Sequence, residues 1–393
     1  MENTLTTFQK KKKFGIYEAA LASLLFIIFN FVFLRLYYLL PNNVRASKPV
    51  YYLASFLLEG MFALTAITIA TARKINLIEA AGMNKKINGK LVGLGFLISL
   101  VCLLGFGRIT TTFLTFLENI GYKSVLPSTT IDNFLTYLVY VIISCLAPAF
   151  FEELLFRGVI ASGLKERGFK VALFVSAAIF TFMHGNAEQT IHQFIVGLVL
   201  GYVFIKSGNL WLGVIIHFFN NFISVTEMFL FNIFSSTGAQ DVVEDVTTTP
   251  TTNKWVSLLI SAVVAAVFAY VGYLILKNLI KKFLDENETL NGTKQEILEN
   301  TSEQVNSHAG REVEAEVKTE AVDEAPVEVT VKNEENQEQT TESEKTDLQV
   351  SNSEKPADKL KGLSVPTLVF FTLSAAYLAF DWVLSLLSCF GLF

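Results

Sequence analysis

The chain has 393 residues, a net charge of −5 and an apolar fraction of 52%. Its mean hydropathy of +0.46 and its 35 phenylalanines exclude an ordinary soluble enzyme, because the apolar residues come in blocks long enough to cross a bilayer core of ~30 Å. The charge is divided: residues 285–361 hold 21 acidic and 8 basic side chains, and the rest of the chain holds 15 and 23. The basic residues sit at block ends and form no continuous patch, which speaks against nucleic acid and for a bilayer with anionic headgroups as partner.

In chain order, apolar blocks fall at about 17–40, 50–71, 90–107, 133–164, 170–184, 190–206, 211–234, 255–280 and 364–390. They predict an all-α, polytopic transmembrane helical bundle of about eight to nine spans with a disordered acidic cytoplasmic segment. The run after Lys10–Lys13 is too long for a signal peptide and lacks a small-residue cleavage site, so it is read as the first span. The fourth block is too long for one straight span, and Pro148 predicts a kink in it. The fifth and sixth are short, and if one of them fails to cross, the sides of everything after it reverse.

Lys and Arg at the block ends place the N-terminus and the acidic segment in the cytoplasm. Residues 285–361 have almost no aromatic side chains and are expected to be disordered. The span after them is expected to be tethered, detached and peripheral. The expected organisation is N-terminal transmembrane helices over 1–130, a membrane core over 131–234, a further helix within 235–284, the acidic segment at 285–361 and a last helix within 362–393. Cys102, Cys145 and Cys389 lie in apolar stretches with no metal-ligand or redox spacing and read as buried free thiols.

Ionisable groups inside apolar spans are costly and therefore informative. Glu152 and Glu153 follow the apolar stretch Tyr140–Phe150, and Arg157 lies four residues after Glu153. On a helix Glu153 and Arg157 share a face and can pair, while Glu152 points about 100° away without that cation. A carboxylate so placed suits a general base. His184 closes an apolar run one turn after Phe180, and His217 stands one turn before Asn221. His217 and Asn221 can thus present an imidazole and a carboxamide to one point. Glu59 and Asp381 are isolated carboxylates read as structural, His192 is a supporting residue at best, and His308 has no assigned role. Gly197 and Gly201 have the spacing of close helix packing.

Glu152-Glu153-x-x-x-Arg157, Phe180-x-x-x-His184 and His217-x-x-x-Asn221, in this order within apolar spans, resemble the three motifs of the CPBP family. That family comprises CAAX prenyl endopeptidases and bacteriocin-processing or Abi-type intramembrane proteases. The resemblance covers roughly residues 130–225 and makes 131–234 the expected catalytic membrane core. It implies an intramembrane endopeptidase acting on a membrane-anchored, hydrophobic or lipidated peptide, prenylated CAAX-type substrates among them. By the same analogy, Glu152 and His184 would activate a water, and His217 and Asn221 would stabilise the oxyanion. Glu153 and Arg157 would hold the helix and set the local field.

The family is often called metalloprotease. A zinc ion held by Glu and His side chains is compatible with the resemblance, as is metal-independent activation of water by a Glu and a His. No His-Glu-x-x-His, Gly-x-Gly-Asp or Gly-x-Ser-x-Gly occurs in the chain. Two other readings compete. A non-catalytic scaffold or regulator of the same fold would use the acidic segment to recruit a protein partner, and a transporter would use the buried charges as an ion relay. The transporter reading calls for internal repeats, which the sequence does not show.

Overall fold

The structure, a computed structural model, describes residues 12–123, 131–236, 253–319 and 364–389, with side chains described at 12–123, 131–234, 253–292 and 364–389. Among the described residues nine principal helices follow one another: α1 (Ile16–Tyr38), α2 (Lys48–Arg73), α3 (Gly89–Asn119), α4 (Phe134–Arg167), α5 (Phe169–Phe182), α6 (Thr190–Ser207), α7 (Leu210–Ser236), α8 (Lys254–Thr319) and α9 (Val365–Cys389). No strand occurs among the described residues. Eight of the helices are long and apolar enough to cross a membrane. The exception, α5, has 14 residues and at ~1.5 Å per residue reaches only about 21 Å.

The helix starts follow from local sequence. Pro49 occupies the first turn of α2, where a missing N–H costs nothing. Asn88 and Asn133 accept backbone N–H groups at the starts of α3 and α4. The Glu18 carboxylate accepts the Gly15 N–H at 2.9 Å and pairs with Arg73 at 2.7 Å, clamping the start of α1 to the end of α2.

Contacts at the helix ends establish the up-and-down order. At one end of the bundle the Ile16 N–H reaches Glu166, and the Leu210 N–H donates to Ala81 O at 3.1 Å. Lys90 pairs with Glu286 there as well. Gly82, at φ +66°, lies so close to the turn after α6 that a Cβ would overlap the Gly208 carbonyl oxygen. At the other end the Lys123 N–H donates to Cys389 O at 2.9 Å, Tyr122 donates to Glu188 at 2.9 Å and Lys254 to Asn119 O at 2.9 Å. Short as they are, α5 and α6 therefore run out and back as a pair. The reversal of sides that one short block would have caused does not arise.

Three further expectations are modified. Around Pro148, α4 continues through two π-helical stretches, Val141–Leu146 and Leu154–Ala161, on either side of Ala147–Glu153. A wider turn accommodates a ring that cannot donate a hydrogen bond, so the long fourth block remains one helix of 34 residues. The last helix is not detached. Phe370 of α9 meets Tyr17 of α1 at 5.7 Å, and the Trp382 indole N–H donates to Thr190 at 2.9 Å. Its aromatic and polar side chains find partners that a count of apolar residues cannot foresee.

Disorder was expected from residue 285, but α8 continues to Thr319. Its first part is tied down by Glu286 to Lys90 and by Asn291 to Lys86. Residues 320–361 lie outside the described residues. Gly292–Gly362 form a second unit, of which the described part is the continuation of α8. The three cysteines are free and buried, as read from the sequence.

Candidate active site

The central part of α4 carries Glu152, Glu153 and Arg157 into the interior, where they are 5%, 0% and 1% exposed. Arg157 donates to Glu153 Oε1 at 2.7 Å, the i,i+4 pair expected from spacing, and to the Gly197 carbonyl of α6 at 3.1 Å. Its guanidinium also lies over the Phe180 ring at 4.6 Å from the centroid. Glu153 stands against α7 where residue 213 is glycine; a Cβ there would come within 2.5 Å of Glu153 Oε2. That glycine lets a carboxylate occupy the space between two helices. Gly197 and Gly201 admit α5 in the same way, with Phe180 and Leu173 atoms 3.2 Å from where their Cβ atoms would be.

His217 of α7 meets both carboxylates. Its Nδ1 is 3.2 Å from Glu153 Oε1, and its Nε2 is 3.9 Å from Glu152 Oε2. Since a carboxylate only accepts, Nδ1 carries the proton and Nε2 is the nitrogen directed towards Glu152. His184 follows α5, with its Nδ1 2.8 Å from the Phe180 carbonyl oxygen. By the same reasoning Nδ1–H is the donor, and Nε2 is free to exchange a proton. The Phe180 ring stands between the two imidazoles, at 4.9 Å from His184 and 5.8 Å from His217.

Asn221 donates through Nδ2 to Ser144 O at 3.0 Å. Ser144 belongs to the first π-helical stretch of α4, where an i→i+5 pattern turns carbonyls out of the regular ladder. One N–H of the Asn221 amide remains for another acceptor. The neighbouring Asn220, 4% exposed, contacts His192 Nε2 and Asn221 Oδ1, each at 3.3 Å.

The cluster thus brings together Glu152, Glu153, Arg157 and His217 directly. His184 joins through Phe180, and Asn221 through the backbone of α4. Sequence reasoning missed Asn220, Gly213, the Gly197 and Ser144 carbonyls, and Glu59 of α2, whose carboxyl group meets that of Glu152. Glu59 had a signal, an ionisable residue inside an apolar span, but nothing on its own helix names its partner. Among the described residues no three His, Cys, Asp or Glu side chains converge to hold a metal ion. The mechanism derived from these residues runs through no metal.

A helical membrane bundle with a buried carboxylate, guanidinium and imidazole cluster is the class of protein that fold and site define. Residues 134–223 match the family model of the type II CAAX prenyl endopeptidase Rce1-like proteins. This similarity covers the segment that carries the site and supports a CAAX-type intramembrane protease in general terms. No curated protein and no solved structure matches the chain.

Proposed function

We propose that the chain hydrolyses a peptide bond of a membrane-anchored or hydrophobic substrate, of the prenylated CAAX type or similar to it, using Glu152 as general base. The observation that carries this reading is the continuous contact Arg157–Glu153–His217–Glu152, buried inside the bundle. A substrate carbonyl would sit near His217 Nε2, and a water between Glu152 and His184 Nε2.

Glu152 takes one proton from that water as its oxygen attacks the carbonyl carbon. The oxyanion receives a hydrogen bond from the remaining Asn221 N–H. It receives a second from His217 Nε2 when that nitrogen also carries a proton. Collapse breaks the C–N bond, and the proton on Glu152 passes to the departing amine. Arg157 and Glu153 touch no reacting atom; they hold His217 in orientation. The end of the bundle that carries Lys12, Lys13, Lys74, Lys85, Lys86 and Lys90 faces the cytoplasm on the positive-inside rule.

The test is cleavage of prenylated and membrane-anchored peptides by the purified protein in vesicles, with and without chelator. Glu152→Ala and His184→Ala are each expected to lower kcat by about 10²–10⁴-fold, with little change in thermal stability. Cleavage by either variant at the wild-type rate would refute this mechanism. Loss of wild-type activity with chelator would bring a metal into it.

A further inference from the structure

One carboxyl group in the cluster has no part in the scheme above. Helices α2 and α4 run in the same direction and meet along an aromatic seam: Tyr52 with Tyr140 at 5.9 Å, Phe56 with Phe151 at 5.8 Å and Phe62 with Phe156 at 5.6 Å. Glu59 falls between Phe56 and Phe62 on that seam, opposite Glu152. The two side chains are within hydrogen-bonding reach of each other. Oε2 of Glu59 and Oε2 of Glu152 are both buried and have no hydrogen-bond partner.

Ionised carboxylates only accept hydrogen bonds, so two of them in contact repel unless one proton lies between them. The charged and titratable groups facing Glu152 are Glu59 from α2, Glu153 and Arg157 from α4, and His217 from α7. Arg157 is committed to Glu153 and the Gly197 carbonyl, and His217 donates to Glu153. Neither side chain replaces the proton at the Glu59 contact.

We propose that Glu59, in its neutral form, is the positioning residue for Glu152, donating a hydrogen bond that fixes one Glu152 oxygen and leaves the other to face the reacting water. The inference rests on the reading of Glu152 as the base. Glu59 touches neither water nor substrate. Its proton stays in the pair throughout, so the proton that Glu152 takes from water is the one it delivers to the amine, and no further donor is needed. The seam explains why the contact is held: aromatic side chains on both sides fix the register of α2 against α4, and a shift of one residue would carry Glu59 off the shared face.

The experiment compares wild type, Glu59→Gln and Glu59→Leu in vesicles on a peptide that the wild type cleaves, with infrared difference spectra of the same samples at neutral pH. A Gln amide can still donate to Glu152 and a Leu side chain cannot. Glu59→Gln is expected to keep kcat within about three-fold, and Glu59→Leu to lose about 10–100-fold in kcat with KM unchanged. The C=O stretch of a protonated carboxyl group present in wild type is expected to vanish in Glu59→Gln. Equal kcat for wild type and Glu59→Leu, or an infrared band unchanged in Glu59→Gln, overturns the proposal. The spectra need no substrate and still decide the matter if Glu59→Leu does not fold. Failure of the protease reading is distinguishable, since it appears as Glu152→Ala cleaving like wild type.

Discussion

Helices α4 and α8 are both long and apolar enough to cross a membrane, yet they do opposite work. Through its middle, α4 buries every residue from Glu152 to Ala161, charged ones included, and departs from regular α-geometry on both sides of Ala147–Glu153. The membrane part of α8 exposes most of its large side chains, among them Leu259, Val263, Val267 and Tyr270. Where it packs, it packs closely: Gly272 lies so near Gly105 of α3 that a Cβ there would come within 2.8 Å of the Gly105 Cα. Apolar content admits a helix to the bilayer but does not decide which face, or which helix, turns inward. Charge does, because a carboxylate or guanidinium must find partners that lipid cannot supply.

Breaking the ion pair in α4 should have the largest effect on the fold. Arg157→Ala leaves the Glu153 carboxylate buried without its cation and is expected to cost about 3–5 kcal/mol of stability, together with cleavage activity. Thermal unfolding in detergent would measure it. A smaller change sharpens the comparison without touching a charge. Gly213→Ala puts a methyl group where Glu153 Oε2 now lies and is expected to cost about 1–3 kcal/mol by overpacking, with a fall in kcat as Glu153 turns away from His217. On α8 the same measurement should barely move: Leu259, 66% exposed, is expected to give less than about 0.5 kcal/mol on replacement by Ala. If Leu259→Ala cost as much as Arg157→Ala, the contrast between the two helices would be wrong.

Much of the site was legible in one dimension. The four-residue spacings of Glu153 with Arg157, Phe180 with His184 and His217 with Asn221 are helical repeats, and local geometry alone puts each pair on one face. What the spacings could not supply were partners from other helices. Gly197 offers a backbone carbonyl, Ser144 offers one because α4 widens there, and Glu59 arrives from a helix about ninety residues earlier in the chain. The docking of α9 through Trp382 and the close approach of Gly105 and Gly272 were hidden for the same reason.

The sequence by itself determined that this chain lives in a membrane, that it is helical, and which ionisable side chains sit inside apolar spans. Those are consequences of composition and of the 3.6-residue repeat, and both are local. Only the tertiary structure decided that α5 and α6 run out and back together, that His217 bridges two carboxylates, and that Glu59 faces Glu152. Each of these depends on which helix lies beside which, and that choice is set by glycine contacts, aromatic seams and the need of buried charges for partners, all of them between residues far apart in the chain.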